Sequence, residues 1–128
     1  MTRTEIRTDR VPAPGSYSQG LRSGELIFTQ GVNGYDPESG VVRGTTIEEQ
    51  TRQAMENLHD ILAEAGLSMD DIVKTTVHLS HMRRDFPGFE AEYRKWFSPP
   101  YPARTTVNSG LWREEYLVEI DAIAQANG

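Results

Sequence analysis

Two ions set inside β-branched runs constrain this chain more than any other feature. Pro102-Ala-Arg-Thr-Thr-Val107 carries Arg104, and Leu117-Val-Glu-Ile-Asp-Ala-Ile-Ala124 carries Glu119. The runs read as two strands joined through Gly110 to Tyr116. If they pair antiparallel about a midpoint between Leu111 and Trp112, Arg104 lies opposite Glu119 and both side chains point to one face. A slip of one residue would part them. An arginine among strand residues calls for a carboxylate, from the protein or from a ligand, because an unpaired buried guanidinium is costly.

The rest of the chain must supply a core for this unit. With 128 residues, 37% of them hydrophobic, the sequence fits one soluble domain over 1–128 that buries roughly two thirds of its unfolded surface. The absence of cysteine excludes a disulfide framework, a zinc-thiolate site and a thiolate nucleophile. The longest apolar runs are a few residues, against the ~20 that a membrane span requires. The N-terminal stretch lacks the apolar segment of a secretory leader, and the reading is a cytoplasmic protein. A net charge of -6 argues against general binding to nucleic-acid backbones.

Taken in order, Val11-Pro-Ala-Pro-Gly-Ser16 cannot hold a regular element and delivers the chain to Tyr17-Ser-Gln-Gly-Leu21, read as a short strand. Glu25 to Gln30 is a second strand, closed by Gly31, and Gly34 to Gly40 is a loop dense in turn residues. Thr46 to Ala65 is the clearest helix. Ile47, Thr51, Ala54, Leu58, Ile61, Leu62 and Ala65 recur every three or four residues, Thr46 with Glu49 makes a capping box, and Gly66 marks the stop. Ile72 to Leu79 is a strand with Val73, Val77 and Leu79 on one side. Met82 to Phe97 is a helix with the aromatic stripe Phe86, Phe89, Tyr93 and Trp96, in which Pro87 suits the first turn. Pro99-Pro100 ends it.

Strands around two helices read as an α+β domain, with the helices covering one face of a mixed sheet. On the last strand Val118, Ile120, Ala122 and Ala124 form one face, and Leu117, Glu119, Asp121 and Ile123 the other. Both faces carry apolar residues, so the second face also needs cover, and another subunit is the simplest source.

The Gly15-Ser-Tyr-Ser-Gln-Gly20 start, Phe-Thr-Gln-Gly31, the Gln50-Thr-x-Gln-Ala-Met-x-Asn-Leu58 helix, Asp71-Ile-Val-Lys-Thr-Thr-Val77, Pro102-Ala-Arg-Thr105 and Val118 to Ala124 together resemble the RidA/YjgF family over nearly the whole chain. The resemblance implies a chorismate-mutase-like α+β fold and a homotrimer with clefts between subunits. It further implies hydrolysis of reactive 2-enamines and 2-imines to 2-oxo acids and ammonia, as by 2-iminobutanoate/2-iminopropanoate deaminases, without cofactor or metal. By the same resemblance Arg104 grips the substrate carboxylate, Glu119 positions and activates water, Tyr17 closes the cleft and Gly31 offers its backbone amide. The chain departs from many relatives at Gln30, where they carry Ser, at Glu90, where they carry Asn, at Thr106, where they carry Cys, and at Ser16, where they carry Pro. Gln30, Glu90 and Thr106 are candidate substrate contacts.

Plainer readings stand beside these. Arg104 and Glu119 can be a structural ion pair, Tyr17 loop packing, Glu90 a solvated helix charge and the aromatic stripe simply core. His78 and His81 lack the spacing of a helical zinc pair, and Asp70-Asp71 fits a turn. Two other function classes stay open: a trimeric carboxylate-binding protein without turnover, and the ribonuclease, translation-inhibitor or chaperone-like interactions also associated with the family.

Overall fold

The computed structural model describes residues 2–126, so Met1, Asn127 and Gly128 of the expected 1–128 domain lie outside it. Its organising helix, α1 (Ile47–Glu64), starts and stops where its end chemistry dictates. Glu49 N–H donates to the Thr46 hydroxyl at 3.2 Å while the Glu49 carboxylate accepts from Thr46 N–H at 3.3 Å. Gly66 takes φ +75° just past the last turn, a conformation that side chains disfavour. The expected stripe from Ile47 to Leu62 is buried against the sheet.

That sheet contains β1 (Arg3–Ile6), β2 (Gly20–Ser23), β3 (Leu26–Thr29), β4 (Val32–Asn33), β7 (Ile72–Leu79), β8 (Ala103–Asn108) and β9 (Val118–Gln125), while β5 (Tyr35–Asp36) and β6 (Val41–Val42) form a small separate hairpin. The order is β1-β2-β3-β9-β7-β8, with β4 also beside β9. The second helix, α2 (Met82–Tyr93), crosses from β7 to its parallel neighbour β8. The fold is thus the α+β arrangement expected, a mixed sheet with two helices.

The central expectation about pairing is corrected. β8 and β9 are not neighbours, because β7 lies between them, parallel to β8 and antiparallel to β9. Arg104 stands beside Thr75 and Glu119 beside His78. Thr75 is buried on the helix side with Val77 and Leu79, and His78 points the other way, so Arg104 and Glu119 project from opposite faces. The connection between β8 and β9 is a bridge across one intervening strand, not a link between paired neighbours.

Smaller differences have local causes. The register of β7 on β9 shifts between Ile72 and Lys74, which turns Ile72 inward and leaves Val73 exposed rather than alongside Val77. Tyr17 precedes β2 instead of lying in a strand. Pro87 falls in the second turn of α2, on its solvent side, and the adjoining Gly88 lets the two helices approach: a Cβ there would stand 2.7 Å from Ile47 Cγ2. β1, not anticipated, is short and mostly exposed, held by pairing with β2.

Candidate active site

Gln30 and Gly31 interrupt what would otherwise be one long strand beside β9. Phe28 pairs with Ile123 and Val32 with Ile120, so the register slips by one residue across the gap. The Thr29 hydroxyl takes over the ladder by accepting from Ala122 N–H at 3.0 Å. Glu119 lies against this break. A Cβ on Gly31 would come within 2.5 Å of Glu119 Oε2, so the absence of a side chain at Gly31 is what admits the carboxylate.

Glu119 opens into a cleft of about 710 Å³ whose walls include Tyr17, Gln30 and Gly31. Three of the residues expected around the substrate therefore surround the expected water-activating carboxylate. Tyr17 is 53% exposed at the mouth. Gln30 is fixed by its backbone, which donates to Gln19 O at 2.7 Å, and by Nε2, which donates to Pro12 O at 3.2 Å; its Oε1 is buried without a partner. Burial pushes the Glu119 carboxyl above the ordinary range, His78 opposes this and Asp121 adds to it. Asp121 is likewise raised by burial, against His78 and Lys74.

Arg104 and Thr106 lie elsewhere, on the helix side of the edge strand β8. The Arg104 guanidinium sits 4.8 Å from the Tyr93 ring centroid, 5.6 Å from Phe89 and 5.7 Å from Phe86. The aromatic stripe read as core thus also forms a cradle for a cation. Glu90 Oε1 approaches Arg104 Nη1 at 2.7 Å, close enough for an ion pair but without the alignment of a hydrogen bond. Burial raises the Glu90 carboxyl, yet Arg104 and Arg94 outweigh it and leave the group below its ordinary value. Glu90 is therefore neither a free surface charge nor part of the Glu119 cleft within one chain; it is the partner of Arg104.

Sequence reasoning missed the polar line that shapes the cleft. Gln50, Gln53 and Asn57 are all buried on α1. Asn57 Nδ2 donates to Asn33 O and Tyr35 O, at 3.1 and 2.8 Å, and holds β4 and β5 to the helix. Gln50 Nε2 donates to Glu115 O and its Oε1 accepts from Leu117 N–H, both at 2.8 Å. These bonds anchor the 109–117 segment, which brings Trp112, Arg113 and Tyr116 to the cleft. A signal was present: three amides spaced by three and four residues along an otherwise apolar helix face.

A family model described as Endoribonuclease L-PSP matches residues 7–126. The chain belongs to this family, the RidA/YjgF family. A RutC family protein of Saccharolobus solfataricus is 40% identical over 121 residues, spanning 94% of this chain and 95% of that protein. Reactive Intermediate Deaminase A, chloroplastic, of Arabidopsis thaliana is 35% identical over 93% of this chain and 64% of its own length. Among solved structures, TdcF of E. coli with bound serine superposes with a TM-score of 0.89 at 33% identity, covering 97% of this chain and 99% of that one. RidA from Psychrobacter sp. PAMC 21119 gives 0.88 at 34%, covering 95% and 98%. For this RidA/YjgF chain, the mixed sheet and two helices agree with those neighbours. No helix among the described residues is long and apolar enough to cross a membrane.

Proposed function

We propose that the protein hydrolyses reactive 2-enamines and 2-imines to 2-oxo acids and ammonia, acting as a homotrimer with its sites between subunits. The observation that carries this reading is Glu119: a half-buried carboxyl with raised pKa, seated on Gly31 and facing a cleft lined by Tyr17. A carboxylate of raised basicity is suited to take a proton from water near neutral pH. In the reaction, the water oxygen bonds to the imine carbon as Glu119 accepts its proton. That proton passes to nitrogen, the carbon–nitrogen bond breaks as the carbonyl forms, and ammonia leaves with the last hydroxyl proton returned through Glu119.

Arg104 would hold the substrate carboxylate. Since Arg104 and Glu119 project from opposite faces of one sheet, a shared substrate requires Arg104, Thr106 and Glu90 of one subunit to meet the Glu119 cleft of the next. The half-covered outer face, with Phe28 and Leu26 exposed, supports such an assembly. The proposed hydrolysis takes place in a cytoplasmic, single-domain protein. A second reading is a carboxylate-binding protein without turnover, which rests on the departure at Glu90: 2.7 Å from Arg104, it sets an acid beside the expected carboxylate anchor where many relatives carry Asn.

The test is to generate 2-imino acids in situ with an amino-acid oxidase or a dehydratase and to follow ammonia release. Acceleration by this protein, lost in Glu119→Gln, is the expected result. Release at the uncatalysed rate, with oxo acids still protecting the fold against heat, would establish the binding reading instead.

A further inference from the structure

The cleft beside Glu119 holds a second ion that the proposed hydrolysis does not use. Among the described residues lining it, Arg113 is the cation and Glu119 the acid. The two are not partners: the charges that act on the Glu119 carboxyl are His78 and Asp121. Among the described residues Arg113 reaches only Glu115, at a loose 3.9 Å between two exposed side chains, a contact worth little in water. Its backbone is better placed. Arg113 O accepts from Tyr116 N–H at 3.2 Å, and the same segment is tied to α1 by Gln50, to β7 by Ser109 N–H at 3.0 Å on Leu79 O, and to Ser80 by Tyr116 O at 3.1 Å. A guanidinium with spare donors is thus mounted on an anchored loop at the rim of the cleft.

The cleft is also larger than the smallest substrates need. About 710 Å³ lies within the ~300 to 1,000 Å³ of sites that enclose drug-sized ligands. Trp112, 84% exposed, stands next to Arg113 and extends the rim with an apolar plate. In the proposed site, with the first carboxylate held by Arg104 of a neighbouring subunit and the imine carbon beside Glu119, the side chain is the part of the substrate left to occupy the rest of the cleft. A planar fork of donors there matches a second carboxylate better than a neutral chain.

Resting on the deaminase reading, we propose that Arg113 is a specificity residue and that the preferred substrates are 2-imino dicarboxylates, the four- and five-carbon class formed by oxidising aspartate or glutamate. Arg113 takes no part in the chemical step. It reads the distal carboxylate and so acts chiefly on KM.

The test compares imines generated from aspartate and glutamate with those from alanine and leucine, in the wild type, Arg113→Leu and Arg113→Lys. The wild type should favour the dicarboxylates in kcat/KM. Arg113→Leu should lower the dicarboxylate-to-neutral ratio about ten- to hundredfold, as expected for one charged hydrogen-bonded contact, and Arg113→Lys should recover part of it. A wild type with no such preference, or a ratio that Arg113→Leu leaves unmoved, overturns the inference while leaving the deaminase reading intact. A second measurement is independent of turnover: heat protection by 2-oxoglutarate against 2-oxobutyrate. Stronger protection by the dicarboxylate in the wild type, lost in Arg113→Leu, supports the subsite even if no imine is hydrolysed. Equal protection by both oxo acids overturns it.

Discussion

At the scale of single residues, the proposed chemistry turns on what lies against Glu119. Its raised carboxyl pKa means that between the ordinary value of 4.5 and the raised one the folded protein keeps a proton that the unfolded chain has lost. Stability therefore falls as pH rises through that window, and at neutral pH the ionised group is a burden on the fold. Glu119→Gln should raise the melting temperature at pH 7 while abolishing imine hydrolysis; a lower melting temperature would mean that the carboxylate is stabilised by contacts outside one chain. The wild-type rate should fall on the acid side at a pH above the usual glutamate range. Gly31→Ala tests the seat: its methyl would displace Glu119, costing about 1 to 3 kcal/mol by overpacking and most of the activity, read by denaturant titration and ammonia release. Arg104→Lys keeps charge but loses the two-point geometry. If Arg104 holds the substrate, catalytic efficiency should drop about thirtyfold to several-thousandfold with the fold intact. If it is structural, loss of the Glu90 contact should lower the melting temperature first.

At the scale of elements, the site is an arrangement of backbone held by a helix. Gln50 grips Glu115 and Leu117 through one amide, and Asn57 grips β4 and β5 through another, so the cleft's two rims are both referenced to α1. Gln50→Ala would leave the Leu117 N–H and the Glu115 carbonyl without these partners in a part-buried setting. A loss of about 1 to 3 kcal/mol in denaturant stability is expected, with faster amide exchange at Leu117. Unchanged exchange at Leu117 would show that water replaces the glutamine. Thr46→Ala, by comparison, removes only a helix cap and should cost about 1 kcal/mol without affecting the cleft. The comparison separates general destabilisation from loss of site geometry.

At the scale of the whole molecule, the sheet is finished on one side only. Leu26 and Phe28 on β3, with Val107 on β8, remain exposed on the face where Glu119, Asp121 and Ile123 also project. Light scattering coupled to chromatography should return a trimer at micromolar concentration. Phe28→Asp, which places a charge on that face, should shift it toward monomer and reduce imine hydrolysis together with assembly. A wild-type chain that stays monomeric would remove the shared-cleft reading.

The sequence by itself determined whatever depends on neighbours along the chain. The limits of α1 follow from the Thr46–Glu49 box and Gly66, the span of β7 from its β-branched run, and the division of β9 into two faces from its alternation. The clustering of Tyr17, Gln30, Gly31 and Glu119 was legible only through family resemblance, because these residues meet across strands far apart in sequence. Tertiary structure decided the rest. Nothing in the connection from Asn108 to Val118 tells whether its flanking strands touch; β7, the partner of both, inserts between them because it buries Val77 and Leu79 under the helices while pairing on both edges. That insertion sends Arg104 to the aromatic cradle and Glu90, and Glu119 to the opposite face. Side-chain alternation specifies a face only once the neighbouring strand and its register are known, and those are properties of the assembled sheet.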